Sequence, residues 1–456
     1  MLWDSQLIQK YNLAGPRYTS YPTAPQFSTD VSKMELIGKM LEPSHSPLSL
    51  YFHVPFCAHL CYYCACNKIV TKQYDKGTEY VELLGEEMRL RALMIDQSRP
   101  VTQLHFGGGT PTFLSEQNLE TLFSRIHELF NLVTDGSQDF SIEIDPREVN
   151  RSKLEVLRKL GFNRVSLGIQ DFNADVQKAI HRIQPLELVE SVVNDVRDLD
   201  FNSINFDLIY GLPKQTLSGF KETLDKVIAL SPDRISVFNY AHLPQRFAPQ
   251  RRILDEDLPS PEQKLALLKL SIDTLTDAGY VYIGMDHFAK PNDSLTKAQQ
   301  EGHLQRNFQG YTTHAETDLL AFGVSAISQV GNAYFQNHTD LSLYQNCIEN
   351  GQLAIMKGYI SCQDDRIRHA VIMQLLCHNH LKSSDIEQSF GIRFSQYFAD
   401  ELASLKALED DGVIKVYYNE EQVDLEITEA GRLLVRCVCM AFDKYLTNNN
   451  SFSKVI

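Results

Sequence analysis

Short apolar or alternating runs recur along the chain from about residue 48, and segments with helical periodicity separate them. The runs read LSLYFHVPF, TQLHFGG, FSIEID, RVSLGIQD, SINFDLIYGLP, RISVFNYAHLP and YVYIGMDHF. Intervening segments such as YVELLGEEMRLRALM and SGFKETLDKVIALS repeat apolar residues at helical spacing. Strands that alternate with helices predict a parallel sheet. Six or seven such units without a dinucleotide-binding fingerprint favour a complete or partial barrel, where chemistry lies at the carboxyl ends of the strands.

Unusual polar residues fall near the carboxyl ends of these predicted strands. Four cysteines follow the first run, and a glycine-rich turn follows the second. Acidic or amide side chains lie on or after the next three runs. The residues concerned are Cys57, Cys61, Cys64, Cys66, Gly107–Pro111, Glu143, Asp145, Gln170, Asp171 and Asp207. Their placement matches the edge at which a barrel of this kind carries its site.

The run SIEID alternates polar and apolar side chains. Ser141, Glu143 and Asp145 share one face of the predicted strand, and Ile142 and Ile144 share the other. A barrel would direct the two carboxylates to its interior, where they need a cationic partner. A strand edge with solvated acids is the alternative.

The cysteine cluster has the spacing C-x3-C-x2-C-x-C. A structural zinc site normally uses two separated pairs of ligands, and a thioredoxin-like dithiol needs a single C-x2-C. Three thiolates on one short loop can hold three irons of a cubane cluster and leave the fourth iron open to a small molecule. We therefore interpret this loop as a metal or redox site rather than as part of a disulfide framework.

Composition restricts the class of protein. The chain has 456 residues, a formal net charge of -15 and a pI near 5.4, which disfavours binding to nucleic acid. The first twenty residues lack the pattern of a secretory signal, and no apolar stretch is long enough to span a bilayer, so a cytoplasmic location is expected. Five downstream cysteines are expected to be buried structural thiols: Cys347, Cys362, Cys377, Cys437 and Cys439.

The spacing C-x3-C-x2-C, with Tyr63 before the last cysteine, resembles the signature of radical S-adenosylmethionine (radical SAM) enzymes. The turn GGGTP resembles the second sequence element of that family. The resemblance extends along almost the whole chain to the porphyrinogen-decarboxylating branch, through KYNLAGPRYTSYPTAPQF, CNKIVTK, SIEIDPRE, INFDLIYGLPKQT, GMDHFAKP and RNFQGYTT. One departure is Ala65, where the family usually carries glycine.

The resemblance implies the roles of individual residues. Cys57, Cys61 and Cys64 would ligate a [4Fe-4S] cluster whose fourth iron chelates S-adenosylmethionine, and Cys66 would not be a ligand. The positions that match contacts to this first S-adenosylmethionine are Tyr51, Gly108, Glu143 and Ile327, of which Tyr51 and Glu143 are also the expected catalytic residues. The positions that match a second molecule are Tyr63, Gly109, Thr110, Gln170, Arg182, Asp207 and Ala241.

The resemblance also implies an activity. A 5'-deoxyadenosyl radical would initiate oxidative decarboxylation of two propionate side chains of coproporphyrinogen III, giving the vinyl groups of protoporphyrinogen IX. An electron-donor protein such as a flavodoxin or ferredoxin would be required, and the chain is expected to be a monomer. Candidate partners of the substrate carboxylates are Arg17, Lys68 and Lys214. A haem-binding chaperone of the same superfamily and a zinc-stabilised interaction module are the alternatives.

The expected fold is α/β, a partial (β/α)6-type radical SAM barrel with two additions. An N-terminal arm covers residues 1–47, the barrel residues 48–362 and a mainly helical C-terminal domain residues 363–456. In that last domain, helices precede a strand-turn-strand with Asn419 at its tip, which resembles a winged helix. Because its helices carry at least as many acids as bases, packing over the barrel is a better expectation than DNA binding.

Overall fold

The computed structural model describes residues 2–314, 316–419, 422–446 and 454. The strands are β1 (Leu48–Val54), β2 (Phe56–Cys57), β3 (Ile69–Val70), β4 (Pro100–Gly108), β5 (Asn131–Leu132), β6 (Asp139–Ile144), β7 (Arg164–Gln170), β8 (Ser203–Tyr210), β9 (Arg234–Asn239), β10 (Val281–Gly284), β11 (His287–Ala289), β12 (Gln305–Asn307), β13 (Gly310–Thr312), β14 (Asp318–Phe322), β15 (Ile327–Val330), β16 (Ala333–Asn337), β17 (Ile355–Ile360), β18 (His380–Leu381), β19 (Ile414–Asn419) and β20 (Gln422–Ile427). The α-helices are α1 (Ser5–Tyr11), α2 (Lys33–Leu41), α3 (Asp75–Ala92), α4 (Glu116–Leu129), α5 (Arg151–Lys159), α6 (Ala174–Ala179), α7 (Leu186–Asp198), α8 (Leu217–Leu230), α9 (Pro261–Asp277), α10 (Ser294–Glu301), α11 (Leu341–Glu349), α12 (Gln363–His378), α13 (Ser383–Phe390), α14 (Phe394–Tyr397), α15 (Ala399–Ser404), α16 (Lys406–Asp410) and α17 (Val435–Ala441).

The chain divides into two structural units. The barrel unit comprises Ser28–Tyr280 and Glu316–Ile360, and the terminal unit comprises Met1–Phe27, Val281–Ala315 and Ser361–Ile456. These units combine separate chain segments, whereas the sequence suggested three continuous ranges. The boundaries at residues 47/48 and 362/363 stay a prediction.

Six parallel strands form the centre of the barrel unit. Their order is β9-β8-β7-β6-β4-β1, and β1 also pairs in parallel with β14. Antiparallel strands β15, β16 and β17 continue the sheet beyond β14. Helices α3, α4, α5, α7 and α8 connect successive parallel strands. The predicted partial (β/α)6 barrel is confirmed.

Strand alternation separates a polar face of this sheet from an apolar one. Within β6, Phe140, Ile142 and Ile144 are buried, and the residues between them are partly exposed. The apolar face continues across neighbouring strands, where the rings of Phe52 and Phe106 lie 4.9 Å apart. Helices pack against such a face because covering it removes apolar surface from water. The polar face is left for chemistry.

Side-chain caps fix where several connecting helices begin. Ser115 accepts a hydrogen bond from the Asn118 backbone N–H at the start of α4. Asn150 and Thr216 make equivalent contacts at the starts of α5 and α8. Each cap satisfies a backbone donor that the helix itself leaves unpaired.

The terminal unit corrects one expectation about secondary structure. The run YVYIGMDHF is not one barrel strand but an antiparallel hairpin of β10 and β11. Its turn contains Gly284 and Met285, both with positive φ. The stretch YFADELASLKALEDDG is helical: it contains the end of α14, then α15 and α16, with the fully buried Phe398 and Leu405 between these helices. The strand-turn-strand near Asn419 is present as β19 and β20.

Two of the five downstream cysteines are not the buried thiols expected. Cys362 is exposed and Cys347 is partly exposed, whereas Cys377, Cys437 and Cys439 are buried. Cys362 is the N-cap residue of α12. Its place in the chain is set by the start of this helix, not by burial among apolar side chains. No helix in the described ranges is both long enough and apolar enough to cross a membrane.

Candidate active site

The cysteine cluster starts at Cys57, the last residue of β2, and continues through the loop that leads to β3. We call three of its members the three loop cysteines: Cys57, Cys61 and Cys64. The Thr110 hydroxyl lies 3.5 Å from Cys57 Sγ. The guanidinium groups of Arg147 and Arg182 each donate to Cys61 Sγ over 3.6 Å. Two guanidinium groups therefore donate to one sulfur of this loop.

The thiols of the loop differ in environment. Burial raises the pKa of Cys57 to about 12. A hydrogen bond from the Cys66 thiol lowers the pKa of Cys64, and Lys68 acts in the same direction. A coordinated metal deprotonates a thiol outright, so a buried cysteine of high pKa can still be a ligand. Cys66 itself is exposed.

Asp145 fixes the two arginines beside Cys61. Its carboxylate accepts from Arg147 over 2.7 Å and from Arg182 over 2.8 Å. Arg182 also donates to the Gly168 carbonyl over 2.7 Å. Burial raises the pKa of Asp145, but the two guanidinium groups reverse the shift and hold it well below its usual value. Asp145 therefore orients cations toward the cysteine loop and neutralises part of their charge.

The glycine turn Gly107–Gly109 packs against the same loop. Gly109 N–H donates to the Val54 carbonyl and Thr110 N–H to the Phe56 carbonyl, each over 2.8 Å. A Cβ at Gly109 would lie 2.7 Å from the Pro55 carbonyl oxygen, a contact that backbone atoms cannot relieve cheaply. The absence of a side chain is therefore a steric requirement at this turn.

Glu143 lies on the polar face of β6, as alternation predicted. Its carboxylate accepts from the Gly108 backbone N–H over 3.0 Å and from His105 Nε2 over 3.4 Å. Burial raises the pKa of Glu143, but His105 and the Gly108 N–H more than offset that, so the pKa is lowered. The ionised carboxylate is partly exposed and can accept a further hydrogen bond from a cationic ligand group.

Tyr51 belongs to the same group of side chains. Its ring stacks on His105 with centroids 5.8 Å apart and planes at 14°. Its hydroxyl donates to Nδ1 of His53 over 3.2 Å, and His53 Nε2 donates to the Asn67 carbonyl over 3.0 Å. Burial lowers the pKa of His53, which agrees with a neutral imidazole between these partners.

Asp207 ends the polar face on β8. It accepts from Ser166 and from Asn205, each over 2.9 Å. Burial raises the pKa of Asp207 to about 6, and the negative charge of Glu143 contributes to the same shift. The negative charge of Glu143 therefore acts on the Asp207 carboxylate across one face of the sheet.

The remaining predicted site residues have fewer contacts with the group of side chains around Glu143. Gln170 ends β7 in the left-handed region, with φ 66, and is buried. Tyr63 packs on an apolar cluster, and its carbonyl and that of Ala241 both accept from the Gln250 side chain. Ile327 starts β15 and is partly exposed. No contact joins Ile327 to Glu143 among the hydrogen bonds and ring contacts of the described residues.

Sequence reasoning missed two side chains of this site. His105 sits opposite Tyr51 on one side and Ser141 on the other in the strand register. The alternation of TQLHFGG could have identified it, because His105 shares the face of Gly107. Arg147 was also missed, although it follows Asp145 in SIEIDPRE by the two residues of a tight turn.

The donor set fits an iron–sulfur cluster better than a single zinc ion. Thiolates around one zinc, at about 2.3 Å each, lie within about 4 Å of one another. Among the described residues, the three potential ligands whose donor atoms all lie within 4.8 Å of one another are Cys362, Asp364 and Asp365, not the three loop cysteines. Wider sulfur spacing suits a cluster in which each thiolate binds a different iron. The Cys362 group instead surrounds a side-chain cation, since Lys444 donates to Asp364 over 2.6 Å.

The three cations suggested as substrate partners have protein partners of their own. Arg17 pairs with Asp286, and Lys214 pairs with Asp257. Lys68 donates to the Cys64 carbonyl over 2.9 Å. Lys68 therefore contributes to the shape of the cysteine loop.

Comparison with known proteins first identifies the superfamily to which the barrel unit is similar. Residues 51–227 match the family model described as "Radical SAM superfamily". That range runs from β1 to α8 and includes the cysteine loop, the glycine turn, Glu143 and Asp207.

Curated relatives and a solved structure are more specific. The oxygen-independent coproporphyrinogen III oxidase of Pseudomonas aeruginosa is 52% identical over 100% of this chain and 99% of its own length. The protein of the same name from Escherichia coli K12 is 48% identical over 100% of this chain and 98% of its own length. The structure of E. coli coproporphyrinogen III oxidase, described as a radical SAM enzyme, matches with a TM-score of 0.92 at 47% identity over 98% of this chain and all of that chain.

The chain belongs to the oxygen-independent coproporphyrinogen III oxidase family of radical SAM proteins. The family resemblance found in the sequence is confirmed. The assignment of individual ligands and contact residues stays a prediction.

Proposed function

We propose that this chain oxidatively decarboxylates two propionate side chains of coproporphyrinogen III to vinyl groups, giving protoporphyrinogen IX without oxygen. Family membership over the full length supports this reaction. The observation that carries the proposal is the packing of the glycine turn against the start of the cysteine loop. Gly109 and Thr110 donate to the carbonyls before Cys57, and the Thr110 hydroxyl lies 3.5 Å from Cys57 Sγ.

The cofactors of this proposal are a [4Fe-4S] cluster on the three loop cysteines and S-adenosylmethionine. When bound and reduced, they supply a 5'-deoxyadenosyl radical that removes a hydrogen atom from the substrate. Arg147 and Arg182 would donate to the sulfur of Cys61 while that cysteine holds the cluster.

Glu143 and the glycine turn would hold the amino acid part of S-adenosylmethionine. The Glu143 carboxylate is ionised and faces the polar side of the sheet, so it suits a ligand ammonium group. The bare backbone of Gly107–Gly109 would let this part of the ligand approach the main chain without steric conflict. Tyr51 and Ile327 would contact the same molecule. A second S-adenosylmethionine would lie around Tyr63, Gly109, Thr110, Gln170, Arg182, Asp207 and Ala241.

The chain's part in each decarboxylation is to hold one propionate in reacting geometry and to keep water away. Loss of a hydrogen atom from the β-carbon, of carbon dioxide and of one further electron leaves the vinyl group. The chain would work as a cytoplasmic monomer that receives electrons from a flavodoxin or ferredoxin. A reducing compartment suits the free thiols of its loop.

Anaerobic reconstitution with iron and sulfide, followed by assay with coproporphyrinogen III, S-adenosylmethionine and a reductant, tests the proposal. We expect protoporphyrinogen IX to form, with two molecules of carbon dioxide per molecule of product. The haem-binding chaperone is the competing function, whereas the full-length relatives reported above carry the name of the oxidase. Stoichiometric haem binding without decarboxylation would favour the chaperone and refute the enzyme.

A further inference from the structure

Strand β3 lies directly beside the start of the cysteine loop. Val70 is the register partner of Cys57, and the Thr71 backbone N–H donates to the Cys57 carbonyl over 2.9 Å. Cys57 is buried, whereas Val70 is 44% exposed. Because β3 pairs with β2 in a sheet of two strands, it is an edge strand. An accessible apolar residue therefore lies one strand spacing from the first of the three loop cysteines.

A second exposed side chain is connected to the same cysteine through aromatic contacts. Tyr74 is 51% exposed, and its ring stacks on Phe113 with centroids 4.7 Å apart. The Phe113 ring in turn lies 5.2 Å from the ring of Phe56, the residue before Cys57. Val70 and Tyr74 are therefore two apolar surface residues whose packing leads directly to Cys57.

The local charge here is opposite to that of the whole chain. Residues 66–76 contain three lysines and one acid, on a chain whose formal net charge is -15. Two of these lysines, Lys72 and Lys76, are exposed and partly exposed, and neither side chain makes an ion pair within the described ranges. Glu148, an acid beside Tyr74, accepts from the Tyr74 hydroxyl over 3.4 Å and lies 2.8 Å from His59 Nε2. We call Val70, Lys72, Tyr74 and Lys76 the β3 patch.

Lys76 lies at an unfavourable position of its helix. It belongs to the first turn of α3, where the helix dipole favours an acid over a cation. Helix stability therefore does not explain a lysine at this position. Its charge suits the recognition of an acidic partner.

We propose that the β3 patch is the docking surface of a small acidic electron-carrier protein that reduces the cluster. The identity of the partner rests on the proposed function, in which cleavage of each S-adenosylmethionine consumes one electron from outside the chain. One electron passes from the reduced carrier to the oxidised cluster, and no bond forms or breaks in that step. The carrier is thereby oxidised by one electron.

The properties of the β3 patch fit this kind of partner. An acidic carrier is repelled by an acidic chain, so its approach requires a local positive surface. Apolar residues flanked by charged ones are the usual composition of a protein interface. Electron-transfer complexes are among the smallest of these interfaces, so a patch of a few residues can form the centre of one.

The test measures cluster reduction in the reconstituted full-length protein by anaerobic stopped-flow absorbance. A reduced acidic flavodoxin is the protein donor, and photoreduced 5-deazariboflavin is a small uncharged donor that needs no docking surface. The double variant Lys72→Glu with Lys76→Glu should lower the second-order rate constant for flavodoxin about tenfold or more at low ionic strength. Reduction by 5-deazariboflavin should not change. The double variant Lys72→Arg with Lys76→Arg should keep the wild-type rate with both donors.

Calorimetry with oxidised flavodoxin gives a second measurement, which does not depend on turnover. Its affinity should fall in the charge-reversal variant, and the difference from the wild type should shrink as salt is added. Thermal unfolding checks the fold of the variant. Because Lys76→Glu places an acid in the first turn of α3, the midpoint should equal or exceed that of the wild type.

Lys159→Glu with Lys297→Glu is the matched control, since it reverses two other exposed lysines and changes the net charge by the same amount. It should keep a rate with flavodoxin close to that of the wild type. A loss of rate equal to that of the patch variant would mean that overall charge governs the reaction, and it would overturn the proposal. Unchanged reduction by flavodoxin in the patch variant would also overturn it.

Self-association of the wild type that the patch variant loses, measured by sedimentation, would assign the β3 patch to a second copy of the chain and overturn the proposal. Failure of the proposed function gives a different result. If flavodoxin reduces the cluster through the β3 patch but coproporphyrinogen III is not decarboxylated, the docking surface stands and the reaction does not.

Discussion

Replacing Glu143 by glutamine isolates the charge of one carboxylate at the candidate active site. In Glu143→Gln, the side-chain amide oxygen could still accept the 3.0 Å hydrogen bond from the Gly108 N–H, so the local backbone should not change. What is lost is the charge that would pair with the ammonium group of S-adenosylmethionine. A charge-assisted hydrogen bond exceeds a neutral one by about 1–2 kcal/mol. Because the Glu143 side chain is 45% exposed, solvent screening favours the lower part of that range.

This difference corresponds to a dissociation constant for S-adenosylmethionine raised by about 5- to 30-fold. Anaerobic equilibrium dialysis of the reconstituted protein measures it, with iron and sulfide content determined on the same samples. Glu155→Gln, which changes an exposed carboxylate on α5, is the matched control and should bind as the wild type does. Cluster content should stay at the wild-type value in Glu143→Gln, because the three loop cysteines lie on another loop. Unchanged affinity, or loss of iron, would refute the assignment of Glu143.

Further substitutions test the loop, the turn and the polar face. Serine at any one of the three loop cysteines should give protein with little or no iron, whereas Cys66→Ser should keep its iron; iron analysis showing the reverse would mean a different ligand set. Gly109→Ala should lower S-adenosylmethionine affinity because its Cβ would meet the Pro55 carbonyl oxygen at 2.7 Å, and wild-type affinity measured by dialysis would count against a tight turn. Burial raises the pKa of Asp207 to about 6, so between about pH 4 and pH 6 the folded chain keeps a proton that the unfolded chain releases. Stability of the wild type relative to Asp207→Asn should therefore fall as the pH rises through that window, as urea unfolding would show, and a constant difference would contradict the buried environment.

The strand pattern predicted the centre of the fold because each parallel strand carries its own periodic signal. Alternation in SIEID placed Glu143 on the polar face and Ile142 on the apolar one, and the structure agrees. The same signal cannot distinguish a barrel strand from a hairpin, which is why the prediction for YVYIGMDHF was wrong. The antiparallel pairing of β10 with β11 depends on the turn that contains Gly284 and Met285. The dipeptide Gly-Met is not a common turn sequence, so this turn was not recognised.

Contacts between distant segments could not be read from the sequence. His105 joins Tyr51 and Glu143 only because β4 lies between β1 and β6 in the sheet.

Transfer of deuterium tests the central claim most directly. Coproporphyrinogen III labelled with deuterium at the β-carbons of its propionates would be turned over anaerobically with S-adenosylmethionine and a reductant, and the products analysed by mass spectrometry. The account predicts 5'-deoxyadenosine that carries one deuterium for each vinyl group formed. Vinyl groups formed with unlabelled 5'-deoxyadenosine, or 5'-deoxyadenosine formed with no change in the porphyrinogen, would contradict it.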